Sequence, residues 1–290
     1  MILDPILTAA LRHWGARCVP FNDEPATECF AWEPWTQTLE LLNRTAALRS
    51  LMLLVGDNGV GKSTLASHWI SQLEPRAYTP LALTHSTLSG NGVLSVLLQK
   101  LGKTASFARS RNLVLLEQAF QELNGTTPVV VLDEGQLYPP GALEEVRLLL
   151  GLNLARQPIF ALVLMGDLYL QDTLRMQHHK ALYSRIGAIR RLPPLDRTQV
   201  EPYLQHQLSQ VGIDRPAFTP AAIDLLASAS GGLPRLLNLL GRSAWLSAAQ
   251  NKSNQIDAKH VHDALEQVPS AKDRLQHATD PSHGTRHLGS

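Results

Sequence analysis

Apolar positions follow two periods along this chain, and the period changes where the architecture should change. Short apolar runs at residues 51–55, 77–83, 129–132, 159–165 and 188–192 have the length of strands, and the run Val129-Val130-Val131-Leu132 reads as one covered on both faces. Residues 65–70, 90–101, 112–123, 143–152 and 169–176 lie between or beside them and suit helices. Alternation of this kind predicts an α/β fold with a parallel five-stranded sheet, flanked by helices and joined by right-handed crossovers. Ahead of the first strand, residues 7–14 predict a short helix and residues 36–48 an amphipathic one. The segment between them carries Pro20, Phe21, Pro25, Phe30, Trp32, Pro34 and Trp35, the composition of an ordered lead-in packed on a core.

The texture changes at Pro193-Pro194. Asp196 with Gln199 forms a capping-box pattern that opens a helix to about Val211. Thr219 followed by Pro220 starts a second helix, which stops at Ser230-Gly231-Gly232. A third helix is predicted over residues 233–249, and Asp257 caps a fourth that ends at Pro269. The expected organisation is a lead-in over residues 1–50, an α/β nucleotide-binding domain over 51–195, a small all-helical lid over 196–268 and a disordered polar tail over 269–290. No internal repeat is visible.

Composition narrows the function classes. A chain of 290 residues with 44% hydrophobic and 18% charged residues is globular. The formal net charge of +1 gives no global field for nucleic acid or membrane, so any such argument must be local. Cys18 and Cys29 have neither disulfide-framework nor metal-ligand spacing, and the eleven histidines show no H-E-x-x-H pattern. No apolar run approaches the roughly 18 residues of a membrane span, and no signal pattern opens the chain. A cytoplasmic protein without a membrane partner is expected.

One stretch carries specific chemistry. Gly56-Asp57-Asn58-Gly59-Val60-Gly61-Lys62-Ser63-Thr64 fits G-x-x-x-x-G-K-[ST], with an apolar strand before it and a helix after it. Glycines let the backbone curl so that N–H groups point at phosphate oxygens, and the helix N-terminus adds a positive dipole end. Lys62 would reach the β- and γ-phosphates of ATP, and the Ser63 hydroxyl would bind Mg²⁺. A second apolar run ends in Asp133-Glu134, which places two carboxylates at the end of a buried strand. Asp133 would hold the Mg²⁺ through its water shell, and Glu134 would polarise the attacking water as general base. The lead-in either closes over the adenine or simply packs on the core.

Charge is distributed unevenly. Residues 75–116 contain no acid but hold Arg76, Lys100, Lys103, Arg109 and Arg111. Residues 172–197 hold Arg175, Lys180, Arg185, Arg190, Arg191 and Arg197 against Asp172 and Asp196.

Phosphate loop, acid-tipped strand and trailing helical lid together resemble an AAA+ ATPase. The resemblance is sharpest at Leu132-Asp133-Glu134-Gly135-Gln136-Leu137, at Phe218-Thr219-Pro220-Ala221-Ala222-Ile223 and at Gly231-Gly232-Leu233-Pro234-Arg235-Leu236-Leu237-Asn238. These look like the ExeA/GspA-like branch, which includes the transposon-targeting ATPases of TnsC, TniB and MuB type. The resemblance implies that Arg235 is a sensor arginine touching the γ-phosphate in cis. It implies that Arg185, with Arg190 or Arg191 as alternatives, is an arginine finger reaching a neighbouring subunit's nucleotide. Relatives place Gln or Asn after the fourth strand as a γ-phosphate sensor, and this chain has Asp167 there, which would repel a phosphate.

The function implied is an ATP-dependent regulator of transposition. It would self-assemble as a ring or helical filament on duplex DNA and recruit transposase and a target-selecting partner. The loop holding Lys103, Thr104, Arg109 and Arg111 would contact DNA phosphates independently of sequence, unless those cations only balance the acid-rich first fifty residues. The alternatives are a secretion or cell-envelope ATPase of GspA type and a nucleotide switch without DNA. GspA-type proteins continue past the lid into a membrane span, and the short polar tail here points towards the DNA reading.

Overall fold

The computed structural model describes residues 4–22, 28–84, 88–123, 125–151 and 158–279. In chain order its elements are α1 (Pro5–Trp14), α2 (Glu33–Ala47), β1 (Leu51–Val55), α3 (Lys62–Gln72), β2 (Tyr78–Leu83), α4 (Gly90–Lys100), α5 (Arg109–Gln121) and β3 (Thr127–Leu132). Then follow α6 (Pro140–Leu149), β4 (Ala161–Gly166), α7 (Leu168–Arg175), α8 (Lys180–Tyr183), β5 (Ile186–Arg191) and α9 (Arg197–Ser209). The remaining helices are α10 (Pro220–Ser230), α11 (Pro234–Gln250), α12 (Ala258–Gln267) and α13 (Pro269–Thr279). The chain divides into two compact units, one of residues Ala31–Pro193 and one of Met1–Phe30 with Pro194–Ser290.

The first unit is a five-stranded sheet in the order β2-β3-β4-β1-β5, and every pairing is parallel. The three central strands are buried at every position, which is why their sequences are apolar except for Thr127 at the start of β3. The edge strand β5 alternates between half-buried and exposed residues. Its outer position explains why it tolerates Arg190 and Arg191. The order reverses between β4 and β1, so the loops after β1, β3 and β4 meet at the carboxyl edge of the sheet, where α/β folds hold ligands. Leu94, Leu97, Leu116, Leu143 and Val146 cover one face as part of a continuous apolar core.

The second unit is helical. The capping box at Asp196 and the caps at Thr219 and Asp257 form as the sequence predicts, the last as a capping box with His260. α1 lies along α11, where the Trp14 indole donates to the Trp245 carbonyl at 3.1 Å. Gly232, at φ 74°, accepts the Leu195 N–H at 2.9 Å, and a Cβ on it would lie 1.9 Å from the Leu195 carbonyl oxygen. The second glycine of the Gly-Gly-x-Pro-Arg stretch is therefore a steric requirement of the helical unit.

Three expectations need correction. The lead-in is not one piece: residues up to Phe30 belong with the helical unit, and only those from Ala31 onward belong with the sheet. The tail expected to be disordered from residue 269 begins with α13, which packs on α10 and α12. Its amphipathic pattern is too weak to show in sequence, and neighbouring helices supply the stability. Helix α5 starts at Arg109, three residues before the apolar periodicity begins, so Arg109 and Arg111 lie in a helical first turn and not in a loop. Residue 152, the end of the helix predicted over 143–152, and residues 280–290 of the tail lie outside the described residues.

Candidate nucleotide-binding site

The loop between β1 and α3 is a phosphate cradle in shape. Gly59 and Gly61 have φ of 85° and 102°, conformations that turn successive N–H groups to one side and that other residues rarely adopt. Gly61 is the N-cap of α3, so the helix opens directly on the loop. Lys62 is buried, and its ammonium donates to the carbonyls of Gly56 at 2.8 Å and Asp57 at 3.2 Å. Burial pulls the Lys62 pKa below its ordinary value, against the pull of Glu134, Asp133, Asp167 and Asp57. Lys62 thus stands in a charged cluster at the end of the sheet, with four carboxylates within electrostatic reach.

The second half of the site comes from β3. Asp133 is buried, and its Oδ2 accepts the Ser63 hydroxyl at 2.7 Å. Its Oδ1 accepts the Glu134 N–H at 2.8 Å. A hydroxyl and a carboxylate 2.7 Å apart are the hard oxygen donors that Mg²⁺ takes from protein, with water and phosphate completing its octahedron. The residues therefore fit the ion, although the described residues contain no group of three or more acidic, histidine or cysteine ligands that could hold a metal by themselves. Glu134 is half-buried in the left-handed region, at φ 51° and ψ 45°. Its carboxylate accepts the Gln136 amide at 2.6 Å. The structure thus brings together Lys62, Ser63, Asp133 and Glu134 as the sequence implies.

Asp167 is placed differently from a phosphate sensor. Its carboxylate caps α7, accepting the Leu170 N–H at 3.0 Å, and its own N–H donates to Gln136. The polar side chain at this strand end is a helix cap, which is what an aspartate at an N-cap position does best.

The arginines separate into distinct environments. Arg190 is fastened to α2 through Thr38 at 3.2 Å, Gln37 at 2.8 Å and the Pro34 carbonyl at 3.4 Å. It is a strut between β5 and α2. Arg185 is exposed, and among the described residues it donates to the Arg147 carbonyl at 3.2 Å. Arg191 is exposed. Arg235 lies in the helical unit, exposed in the first turn of α11.

The basic stretch is less free than its sequence suggests. Lys103 is ion-paired with Glu122. Arg109 makes a two-point bridge to the buried Glu145, at 2.6 and 3.1 Å. Both acids lie outside residues 75–116, so the fold supplies the counter-charges that the local sequence lacks. Arg111, Thr104 and Lys100 are exposed. Sequence reasoning missed Glu145, Gln136 and the strut role of Arg190, and only the spacing Asp133-Glu134-x-Gln136 carried any signal for one of them. From the lead-in, Trp35 is buried, its ring 3.9 Å from where a Cβ on Gly61 would lie, so it packs behind the phosphate loop.

The family described as AAA domain matches residues 46–174, which is the segment from the end of α2 through β4 and nearly all of α7. With the parallel sheet order and the phosphate loop, the chain has the α/β AAA+ P-loop NTPase fold. The AAA+ core is accompanied by a longer resemblance to general secretion pathway protein A of Aeromonas hydrophila, 30% identical over 228 residues and covering 77% of this chain. The chain spans about two fifths of that relative's length, 41%. Among solved structures, Cdc6p of Pyrobaculum aerophilum aligns with a TM-score of 0.69 at 16% identity, over 86% of this chain and 70% of that one. The Aeropyrum pernix ORC1 protein in complex with DNA aligns with a TM-score of 0.64 at 19% identity, over 81% and 64%. The RuvB Holliday junction branch migration motor of Thermotoga maritima aligns at 0.54 and 20%, over 82% and 70%. At such identities these structures share the AAA+ fold and nothing finer is carried by them. Among the described residues no helix is long and apolar enough to cross a membrane.

Proposed function

We propose that the chain hydrolyses ATP in an assembly of its own copies, as a secretion or cell-envelope ATPase of GspA type. The observation that carries this reading is the pairing of Ser63 with Asp133 beside Glu134 and Lys62, a complete set for binding a nucleotide with Mg²⁺ and activating water. The bound Mg²⁺ would neutralise charge on the phosphates. Lys62 would leave the Gly56 and Asp57 carbonyls for the phosphate oxygens, and Glu134 would take a proton from the attacking water. Arg185, exposed and lightly held, is the finger candidate that a neighbouring copy would meet, and Arg235 is the candidate sensor of the lid. The test is Glu134→Gln, which keeps shape and hydrogen bonding but removes the base. It should bind ATP with normal affinity and hydrolyse it at a small fraction of the normal rate. Normal turnover would refute the assignment.

A second reading is the DNA-bound regulator of transposition, recruiting transposase and a target selector. Its support is the exposure of Lys100, Thr104 and Arg111 in the acid-free stretch. Duplex DNA titrated against the protein with a non-hydrolysable ATP analogue separates the two. Binding that weakens steeply with salt, weakens further in Lys100→Ala/Arg111→Ala and yields rings or filaments in electron micrographs favours the DNA reading. Assemblies that form equally without DNA favour the first.

A further inference from the structure

Gln136 occupies a position that the phosphate-loop and acidic-strand motifs leave unexplained. It lies in the single turn Gly135–Leu137 that follows β3. Its Nε2 donates to Glu134 Oε2 at 2.6 Å, and its Oε1 accepts the backbone N–H of Asp167 at 3.2 Å. The partners fix the orientation of the amide, because a carboxylate only accepts and a backbone N–H only donates. The space is also reserved: a Cβ on Gly166 would come within 2.6 Å of Gln136 Oε1. Asp167 cannot act in its place, since its carboxylate is engaged with the first turn of α7. Glu134 needs a tether more than most glutamates do. Its left-handed backbone is uncommon for a residue with a Cβ, and no cation is bonded to its carboxylate among the described contacts.

We propose that Gln136 is the positioning residue for Glu134, clamping the carboxylate of the base to the end of β4. The end of β4 follows the phosphate loop closely, since β1 and β4 are paired and the Gly56 N–H donates to the Gly166 carbonyl at 3.3 Å. The amide thus ties the base to the backbone that carries the loop, so that loop and base keep one spacing. This proposal rests on the reading of Glu134 as general base.

The experiment uses the full chain with MgATP. Gln136→Met keeps length and removes both hydrogen bonds, and Gln136→Asn is one methylene too short to span both partners. Each should lower kcat by about 10- to 100-fold, the scale of a misplaced reacting group, with KM and ATP-analogue affinity changed by less than about threefold. Melting midpoints should stay within roughly 3 °C of the parent, as for a partly exposed site. The double variant Glu134→Gln/Gln136→Met should be no slower than Glu134→Gln alone, since nothing remains to be positioned. A normal kcat in Gln136→Met beside a slow Glu134→Gln overturns this proposal alone. So does an affinity loss equal to the kcat loss, or a double variant slower by the full single-variant factor, because either makes Gln136 structural or independent of Glu134. A Glu134→Gln protein that turns over normally overturns the base assignment as well.

Discussion

Removing Arg109 should damage the fold and not a ligand contact. Arg109 stands in the first turn of α5 and bridges to Glu145 of α6 at 2.6 and 3.1 Å. The Glu145 side chain is 5% exposed and the Arg109 side chain 49% exposed. Arg109→Ala therefore leaves a carboxylate buried without its partner. Breaking a fully buried pair costs about 3–5 kcal/mol, and water reaching the open half of this one lowers the expectation to about 2–3 kcal/mol. At roughly 2–4 °C per kcal/mol for a unit of this size, the melting midpoint should fall by about 4–12 °C. Arg111→Ala, two residues on and exposed, should change stability by less than about 0.5 kcal/mol. Glu145→Leu added to Arg109→Ala should recover much of the loss, because an apolar side chain in that site carries no charge to compensate. Calorimetric melts of the four proteins decide the matter. An Arg109→Ala protein that melts within about 1 °C of the parent would show that the bridge is not structural, and Arg109 would return as a free cation for a phosphate backbone.

Further outcomes follow from the same geometry. Lys62→Ala should abolish most binding of a fluorescent ATP analogue while leaving the circular dichroism spectrum unchanged; retained affinity would remove the phosphate-loop assignment. Arg185→Ala should leave the melting midpoint unchanged and lower the turnover of assembled protein by a factor on the order of 10³, whereas Arg190→Ala should lower the midpoint because it severs β5 from α2. Partial rescue on mixing Arg185→Ala with Lys62→Ala subunits is expected if the finger acts in trans. Tyr138 is buried, its hydroxyl has no hydrogen-bond partner among the described residues, and burial, helped by Asp133, pushes its pKa up to about 12 from 10.0. The fold thus favours the neutral phenol, a stabilisation fully present below pH 10 and lost as pH rises through about 12, worth about 2–3 kcal/mol. Urea titrations should show the parent losing stability relative to Tyr138→Phe over that window, and parallel curves would contradict it.

The sequence by itself determined the nucleotide-binding machinery, because each part depends on local order. A phosphate loop works through consecutive backbone N–H groups, so its glycines, Lys62 and Ser63 must be contiguous. Central strands covered on both faces must be apolar at every position, and their carboxyl ends can then be read from where Asp133 and Glu134 interrupt the run. Helix caps at Asp196, Thr219 and Asp257 are equally local and form as written. Tertiary structure decided what depends on partners far away in the chain. The acid-free stretch loses two of its cations to Glu122 and to Glu145, the latter fixed by helix packing, and a charge count along the sequence cannot see across that distance. Arg185 and Arg190 look alike in sequence, yet one is exposed and the other is bonded to a helix about 150 residues earlier, at |i−j| of 152 for Thr38. The division of the lead-in at Phe30 follows the same rule: its aromatics find cavities in whichever unit the chain passes, and composition records only that they will be buried. Gln136 combines both levels. Its spacing from Glu134 is local, but its second partner, the N–H of Asp167, lies just past the end of β4, and only the parallel pairing of β3 with β4 brings that group within reach.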